Sequence, residues 1–213
     1  MPSKKKLCQN WKLYVITQPD PALTEKVREA IRGGADVIQL RDKNATDEDL
    51  TRQAKKLLQV THRLGVPLIV NDRTAVAKTS GADGVHLGQE DGSLNAAKTI
   101  LGKNAIFGRS THSPEQSLAA EKEGFDYIGV GPVFETPTKA GRPAAGLDTV
   151  RFASQNIRIP FIAIGGINAE NIQQVMQAGA KAFAVVRAVL GSADPRRSAR
   201  LLKTGIEEKW DEF

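Results

Sequence analysis

Three stretches of the 213-residue chain concentrate groups suited to holding phosphate and a divalent cation. In Val37-Ile38-Gln39-Leu40-Arg41-Asp42-Lys43 apolar and polar positions alternate, so Gln39 and Arg41 share one face of an extended segment while Ile38 and Leu40 share the other. With the apolar face packed outward, an amide and a guanidinium point inward and Lys43 lies just beyond, a set matched to phosphate oxygens. An Arg–carboxylate pair filling the interior is the competing reading of Arg41. Asp72, in Ile69-Val70-Asn71-Asp72-Arg73, and Asp91, in Gly88-Gln89-Glu90-Asp91-Gly92, each follow an apolar run. Two carboxylates brought together repel, so the pair wants a cation. Mg2+ suits it, because that ion takes one or two carboxylates together with substrate phosphates. The competing role for Asp91 is to cap a helix.

Other segments add to the set. Ser110, in Gly108-Arg109-Ser110-Thr111-His112-Ser113, can donate a hydrogen bond to a substrate, whereas Ser113 reads as a helix cap. His86 reads as a packed, hydrogen-bonded histidine rather than a catalytic one. The run from Gly129 to Gly141 contains Thr136, Pro137, Thr138 and Lys139, combining hydroxyls with a point charge in a long loop that reads as a lid. Gly165-Gly166 and Val185-Val186-Arg187 end two further apolar runs, where backbone N–H groups can approach a phosphate. Two separate phosphate features imply two phosphorylated substrates.

These groups need a frame that brings the ends of many strands together. Apolar, β-branched runs at 13–17, 37–41, 68–71, 84–87, 105–109, 127–130, 161–164 and 182–186 alternate with segments of helical period. The helical segments fall at 21–33, 46–64, 75–80, 95–101, 114–123, 147–154, 169–178 and 198–209. Thr46 with Asp49, Ser113 with Gln116 and Asn168 with Asn171 resemble helix starts. Four glycine turns, at Gly34, Gly81, Gly124 and Gly179, each return the chain from a helix to the next strand. Eight βα units predict a single (β/α)8 TIM barrel over residues 13–213, preceded by a basic, flexible extension at 1–12. A doubly wound open sheet is the rival. In such a barrel the site lies at the C-terminal ends of the strands.

Composition narrows the partners. Forty per cent hydrophobic and 25% charged residues describe an ordinary globular domain, and no apolar run approaches the roughly 20 residues of a membrane span. Lys4, Lys5 and Lys6 precede no apolar signal core. The single cysteine, Cys8, can form no internal disulfide, which fits a reducing, cytoplasmic setting. A net charge of +6 invites nucleic acid, but only two Trp and two Tyr are available for stacking and no nucleic-acid motif is present. Small anions are the better match. Neither nucleic acid nor membrane is expected as a partner, and a homo-oligomer is compatible with this reading.

Together these segments resemble the thiamine phosphate synthase family. The resemblance is carried by Gln39-Leu40-Arg41-Asp42-Lys43, Asn71-Asp72-Arg73, Gly81-Ala82-Asp83-Gly84-Val85-His86-Leu87-Gly88-Gln89-Glu90-Asp91 and Gly108-Arg109-Ser110-Thr111-His112. It continues through Gly129-Val130-Gly131-Pro132-Val133-Phe134, Thr136-Pro137-Thr138-Lys139 and Ala163-Ile164-Gly165-Gly166-Ile167. The resemblance implies that 4-amino-2-methyl-5-hydroxymethylpyrimidine diphosphate is joined to a thiazole monophosphate, plain or carboxylated, with release of pyrophosphate.

It further implies that Gln39, Arg41, Lys43, Asn71, Ser110 and Lys139, with Leu40 and Asp42 of the same run, hold the pyrimidine diphosphate. Lys139, Arg41 and Ser110 would carry the catalysis, and Asp72 and Asp91 would ligate Mg2+. Thr136, Pro137, Thr138, Gly166, Val186 and Arg187 fall at the thiazole-phosphate positions. One departure stands out: many members have Ser after the paired valines, where this chain has Arg187. The implied mechanism is dissociative, with pyrophosphate leaving before the thiazole nitrogen attacks. A thiazole tautomerase of similar fold would not need the Arg41, Lys43, Asn71, Asp72, Asp91 and Lys139 set. A non-catalytic barrel that binds thiamine precursors would show no pyrophosphate release.

Overall fold

The computed structural model describes residues 4–135 and 144–210. Eight parallel strands close in sequence order into a barrel: β1 (Leu13–Ile16), β2 (Val37–Leu40), β3 (Leu68–Asn71), β4 (Gly84–Leu87), β5 (Ile106–Thr111), β6 (Tyr127–Val130), β7 (Phe161–Ile164) and β8 (Phe183–Val185). Closure is made by β1 against β8, with Tyr14 opposite Ala184. Both faces of most strands are buried, as parallel strands under a helical layer must be.

Alternation along the strands sorts the interior into two cores. Leu13, Val15, Ile38, Leu40, Leu68, Val70, Val85, Phe107, Ile128, Ala163, Phe183 and Val185 face outward and pack against the helices. That layer consists of α2 (Leu23–Arg32), α3 (Asp47–Thr61), α4 (Thr74–Ser80), α5 (Leu94–Leu101), α6 (Pro114–Glu123), α7 (Gly146–Asn156), α8 (Ile172–Gln177), α9 (Arg187–Leu190) and α10 (Pro195–Trp210). Thr46 and Ser113 cap α3 and α6 by accepting from Asp49 N and Gln116 N. Gln116 Oε1 in turn accepts from His112 N at 2.8 Å, one residue before the position expected of a capping box.

The residues expected as a flexible extension at 1–12 correct that expectation from α1 (Lys4–Gln9) onward. Cys8 and Trp11 are buried in the inner core with Tyr14, Val37, Ile69, Ile106, Tyr127 and Ala182. The Trp11 ring meets Tyr127 edge-on at 5.2 Å and Tyr14 at 5.9 Å. An open barrel floor offers apolar surface that these two side chains fill. Among the described residues no helix is long and apolar enough to cross a membrane.

Candidate active site

At the mouth the inner face turns polar. Gln39, Arg41, Asn71 and Ser110 line one cavity of about 60 Å3 together with Ile16, Ile164 and Val186. Gln39 and Arg41 thus occupy the inward positions that alternation predicts. Arg41 is half-buried, and among the described residues its guanidinium pairs with no carboxylate. Its backbone N–H donates to Thr17 Oγ1 at 2.9 Å, tying the end of β2 to β1. Leu40 takes the outward place that alternation gives it, fully buried in the wall–helix core, so its side chain does not reach the mouth and a substrate contact there would be through its backbone. Asp42 builds the loop that follows, its Oδ1 accepting from Asn44 N at 3.0 Å and Ala45 N at 3.2 Å.

Next to this cavity, Asp42, Lys43, Asn71, Asp72, Arg73 and Asp91 surround an open space of about 310 Å3. Asp72 has φ +62°, the sole positive φ at a non-glycine among the described residues. Its N–H donates to His86 O at 2.8 Å, so the ladder to β4 holds this left-handed conformation in place. Burial first, and then the neighbouring Asp91 carboxylate, push the Asp72 carboxyl up to about 6, against the opposing pull of Lys43 and Asn71. Lys43 Nζ stands 3.8 Å from Asp72 Oδ2. Asp91 Oδ2 accepts from Gly88 N at 2.7 Å, while Ser93 rather than Asp91 caps α5.

The structure thereby brings both predicted metal ligands together, with the Asp91 carboxylate disfavouring the charge of Asp72. The donor set is all oxygen, which fits a hard cation such as Mg2+. Among the described residues no group of three or more His, Cys, Asp or Glu gathers, so an ion held by this pair would complete its shell with phosphate and water oxygens.

Arg73 has a role that its sequence context does not reveal. Its Nη1 donates to Ala45 O at 2.6 Å and to Asp47 Oδ1 at 2.9 Å, and its Nη2 to Lys43 O at 3.0 Å. Arg73 therefore clamps the loop that carries Lys43.

Ser110 sits on β5 with its Oγ 2.9 Å from His86 Nε2. His86 is buried and hydrogen-bonded, as its sequence context predicts, with Nδ1 3.0 Å from Tyr127 Oη. Tyr127 Oη lies 2.9 Å from Tyr14 Oη, which accepts from Gln39 Nε2 at 2.8 Å. Burial raises both tyrosines well above their ordinary value, so both are neutral. Gly108 makes room for this contact: a Cβ there would lie 2.2 Å from Tyr127 Cζ and 2.5 Å from His86 Nδ1. The tyrosines escaped the sequence reading, although strand alternation turns both inward. Gln89 also escaped it, and its Nε2 donates to Ser110 O at 2.5 Å.

On the other side of the mouth lies a larger cavity of about 380 Å3, lined by Pro132, the turn after β7 and residues 184–188. Gly166, Val186 and Arg187 all border it. Gly165 and Gly166 have φ +106° and +67°, and a Cβ would lie 2.5 Å from Pro132 Cα or 2.8 Å from Phe134 Cβ. Only glycine fits so tight a turn. Asn171 Nδ2 steadies it by donating to Gly166 O at 2.8 Å. Arg187 begins α9 with an exposed side chain. This cavity shares Ile164, Ala184 and Val186 with the smaller one, so the two adjoin. Thr136, Pro137, Thr138 and Lys139 lie outside the described residues.

Residues 13–189 match the family model for thiamine monophosphate synthase. A thiamine-phosphate synthase from Thermus thermophilus is 46% identical over 198 residues, covering 90% of this chain and 95% of the relative. One from Nostoc punctiforme is 47% identical over 184 residues, covering 86% of this chain. The match covers 52% of that relative, so the chain spans about half its length. A solved thiamine phosphate pyrophosphorylase from Pyrococcus furiosus has a TM-score of 0.86 at 41% identity, covering 95% of this chain and 98% of that one.

Proposed function

Because the chain belongs to the thiamine monophosphate synthase family, we propose that it joins a pyrimidine diphosphate to a thiazole phosphate with release of pyrophosphate. The observation that carries this reading is the pair of adjoining cavities. One, lined by Gln39, Arg41, Asn71 and Ser110, meets the space around Lys43, Asp72 and Asp91 at Asn71, and the other is bordered by a glycine turn. A reaction between two phosphorylated substrates needs both, sharing a wall.

In this reading Arg41 and Lys43, with Lys139 from the sequence, hold the diphosphate by charge, while Ser110 and Asn71 add hydrogen bonds. Asp72 and Asp91 would hold Mg2+, which when bound neutralises charge on the diphosphate. The bond between the pyrimidine methylene carbon and the diphosphate oxygen breaks with its electron pair on oxygen. The aminopyrimidine ring spreads the resulting positive charge until the thiazole nitrogen attacks. No general base is needed for that sequence, so the residues need only orient the partners and stabilise the leaving group. The apolar side chains of Ile16, Ile164 and Val186 beside the reacting carbon limit its capture by water. The thiazole phosphate takes the larger cavity, with the Gly165-Gly166 turn and the Val186–Arg187 backbone as donors.

The test is a coupled pyrophosphate-release assay with both substrates, with and without Mg2+. Release that requires both substrates supports the synthase reading. Its absence under every condition, in folded protein, points instead to a thiazole tautomerase or a binding protein.

A further inference from the structure

Gln39, Tyr14, Tyr127, His86 and Ser110 form one unbroken hydrogen-bonded line across the barrel, with links of 2.8, 2.9, 3.0 and 2.9 Å. All five residues line the mouth cavity, and all but Ser110 are buried. Each tyrosine hydroxyl has one proton to give, and a neutral imidazole has one N–H and one acceptor nitrogen. With each group giving one bond along the line and taking one, the direction of one link sets all the others.

The amide nitrogen of Gln39 can only donate, so Tyr14 Oη receives that bond, and in this sense of the line its own proton goes to Tyr127 Oη. Tyr127 then donates to His86 Nδ1. The ring proton must lie on Nε2, where it is given to Ser110 Oγ. With that lone pair engaged, the proton of Ser110 turns away from His86 towards the cavity. Run in the opposite sense, the line would take the Ser110 proton for His86 and present oxygen lone pairs to a bound anion.

We propose that His86 is a positioning residue: the line from Gln39 through both tyrosines holds its ring as the Nε2–H tautomer, making Ser110 a fixed donor towards an anionic substrate group in the mouth. Gly108 belongs to the same device, because any side chain there would part Tyr127 from His86. The proposal rests on the diphosphate reading for its purpose, while the wiring itself can be measured in ligand-free protein.

The chain has three histidines, so nitrogen NMR of histidine-labelled protein at neutral pH can read the tautomer, with His86 assigned through its loss in His86→Gln. The expected result is a proton on Nε2 and a bare Nδ1. A proton on Nδ1, alone or in a doubly protonated ring, overturns the wiring whether or not the protein has synthase activity. Conversely, the expected tautomer in a protein that releases no pyrophosphate would sink the functional reading and, with it, the purpose given to Ser110.

Tyr127→Phe supplies the second arm by removing the donor to Nδ1 while keeping the ring. It is expected to lower kcat about tenfold, with the KM for thiazole phosphate unchanged. In a Ser110→Ala background the same change should cost nothing more. Full additivity in the double variant would reduce Tyr127 and His86 to packing and overturn the proposal.

Discussion

Carboxylates at the two ends of this barrel live under opposite conditions. At the floor, Asp36, Asp83 and Asp126 stand just before β2, β4 and β6, and each accepts from the backbone that opens the preceding odd strand. Asp36 takes Lys12 N and Leu13 N, both at 2.8 Å, Asp83 takes Leu68 N at 2.8 Å, and Asp126 takes Phe107 N at 2.9 Å. Asp36 also pairs with Lys203 at 2.7 Å. The fourth such turn carries Lys181 instead, and there Glu121 accepts from Arg158 N at 2.7 Å and Ile159 N at 2.9 Å. At the mouth, Asp72 and Asp91 face each other, and burial with that proximity raises Asp72 to about 6. The chain satisfies its floor carboxylates internally, whereas among the described residues the mouth pair is met by one cation, Lys43, at 3.8 Å from Asp72. A group left in that state at a cavity is where a ligand supplies the missing partner.

The strongest way to break this contrast is to remove a mouth charge. Asp91→Ala is expected to lower pyrophosphate release by about 100-fold or more while the melting curve stays close to wild type, and Lys139→Ala should behave alike. If either variant, still folded, turns over at the full rate, the pyrophosphate assignment at that residue is wrong. The floor should respond in the reverse pattern. Asp36→Ala strands two strand-opening N–H groups and Lys203, so a loss of about 2–3 kcal/mol is expected in urea unfolding. Turnover per folded molecule should hold, and a variant as stable as wild type but slower would erase the distinction between the two ends.

How far the sequence reveals this division depends on whether each signal is local. Strands β3, β4, β6 and β7 fall at the predicted residues, because short β-branched runs bounded by turn residues are local patterns. The same alternation turns Gln39 and Arg41 inward and sends Leu40 outward, although the family resemblance had grouped Leu40 with the substrate contacts. Non-local facts were harder to see. Cys8 and Trp11 look like part of a basic tail until eight strands create a hollow floor for them to fill. Tyr14 and Tyr127 lie 113 residues apart, and only barrel closure makes them neighbours. Arg73 reveals its clamp only once the β2 and β3 loops adjoin.

A smaller effect, in pH, sharpens the electrostatic half of the comparison. Asp72 holds its proton up to about 6 in the folded state, against an ordinary value of 3.8. Between those values the native protein binds more protons than the unfolded chain, so stability falls as pH rises through the window. The loss is complete above about pH 6. After discounting for its partial exposure, it should amount to about 1–2 kcal/mol. Denaturant unfolding in a chelator at pH 5 and pH 8 should show a little under half of that decline in wild type and a weaker one in Asp72→Asn. Mg2+ should recover the stability at pH 8 in wild type alone. Equal slopes for both proteins would mean that the Asp72 charge is not strained.

The smallest effect is expected at Arg187, and it separates two ways of holding a phosphate within the mouth itself. On the β2–β5 side, the proposed diphosphate site has side-chain cations, Arg41 and Lys43, at its edge. Beside β7 and β8 the wall is backbone, and Gly165 and Gly166 adopt φ values that leave no room for a Cβ. The Arg187 side chain is exposed where α9 begins, so the contact expected of it is the main-chain N–H that any residue supplies. Arg187→Ala and Arg187→Ser should then change the KM for thiazole phosphate by less than about threefold and leave kcat unaltered. A rise of about tenfold or more in the alanine variant, suppressed by salt in wild type, would show a guanidinium–phosphate pair instead. In that event the β7–β8 side would also bind by charge, and backbone would no longer distinguish it.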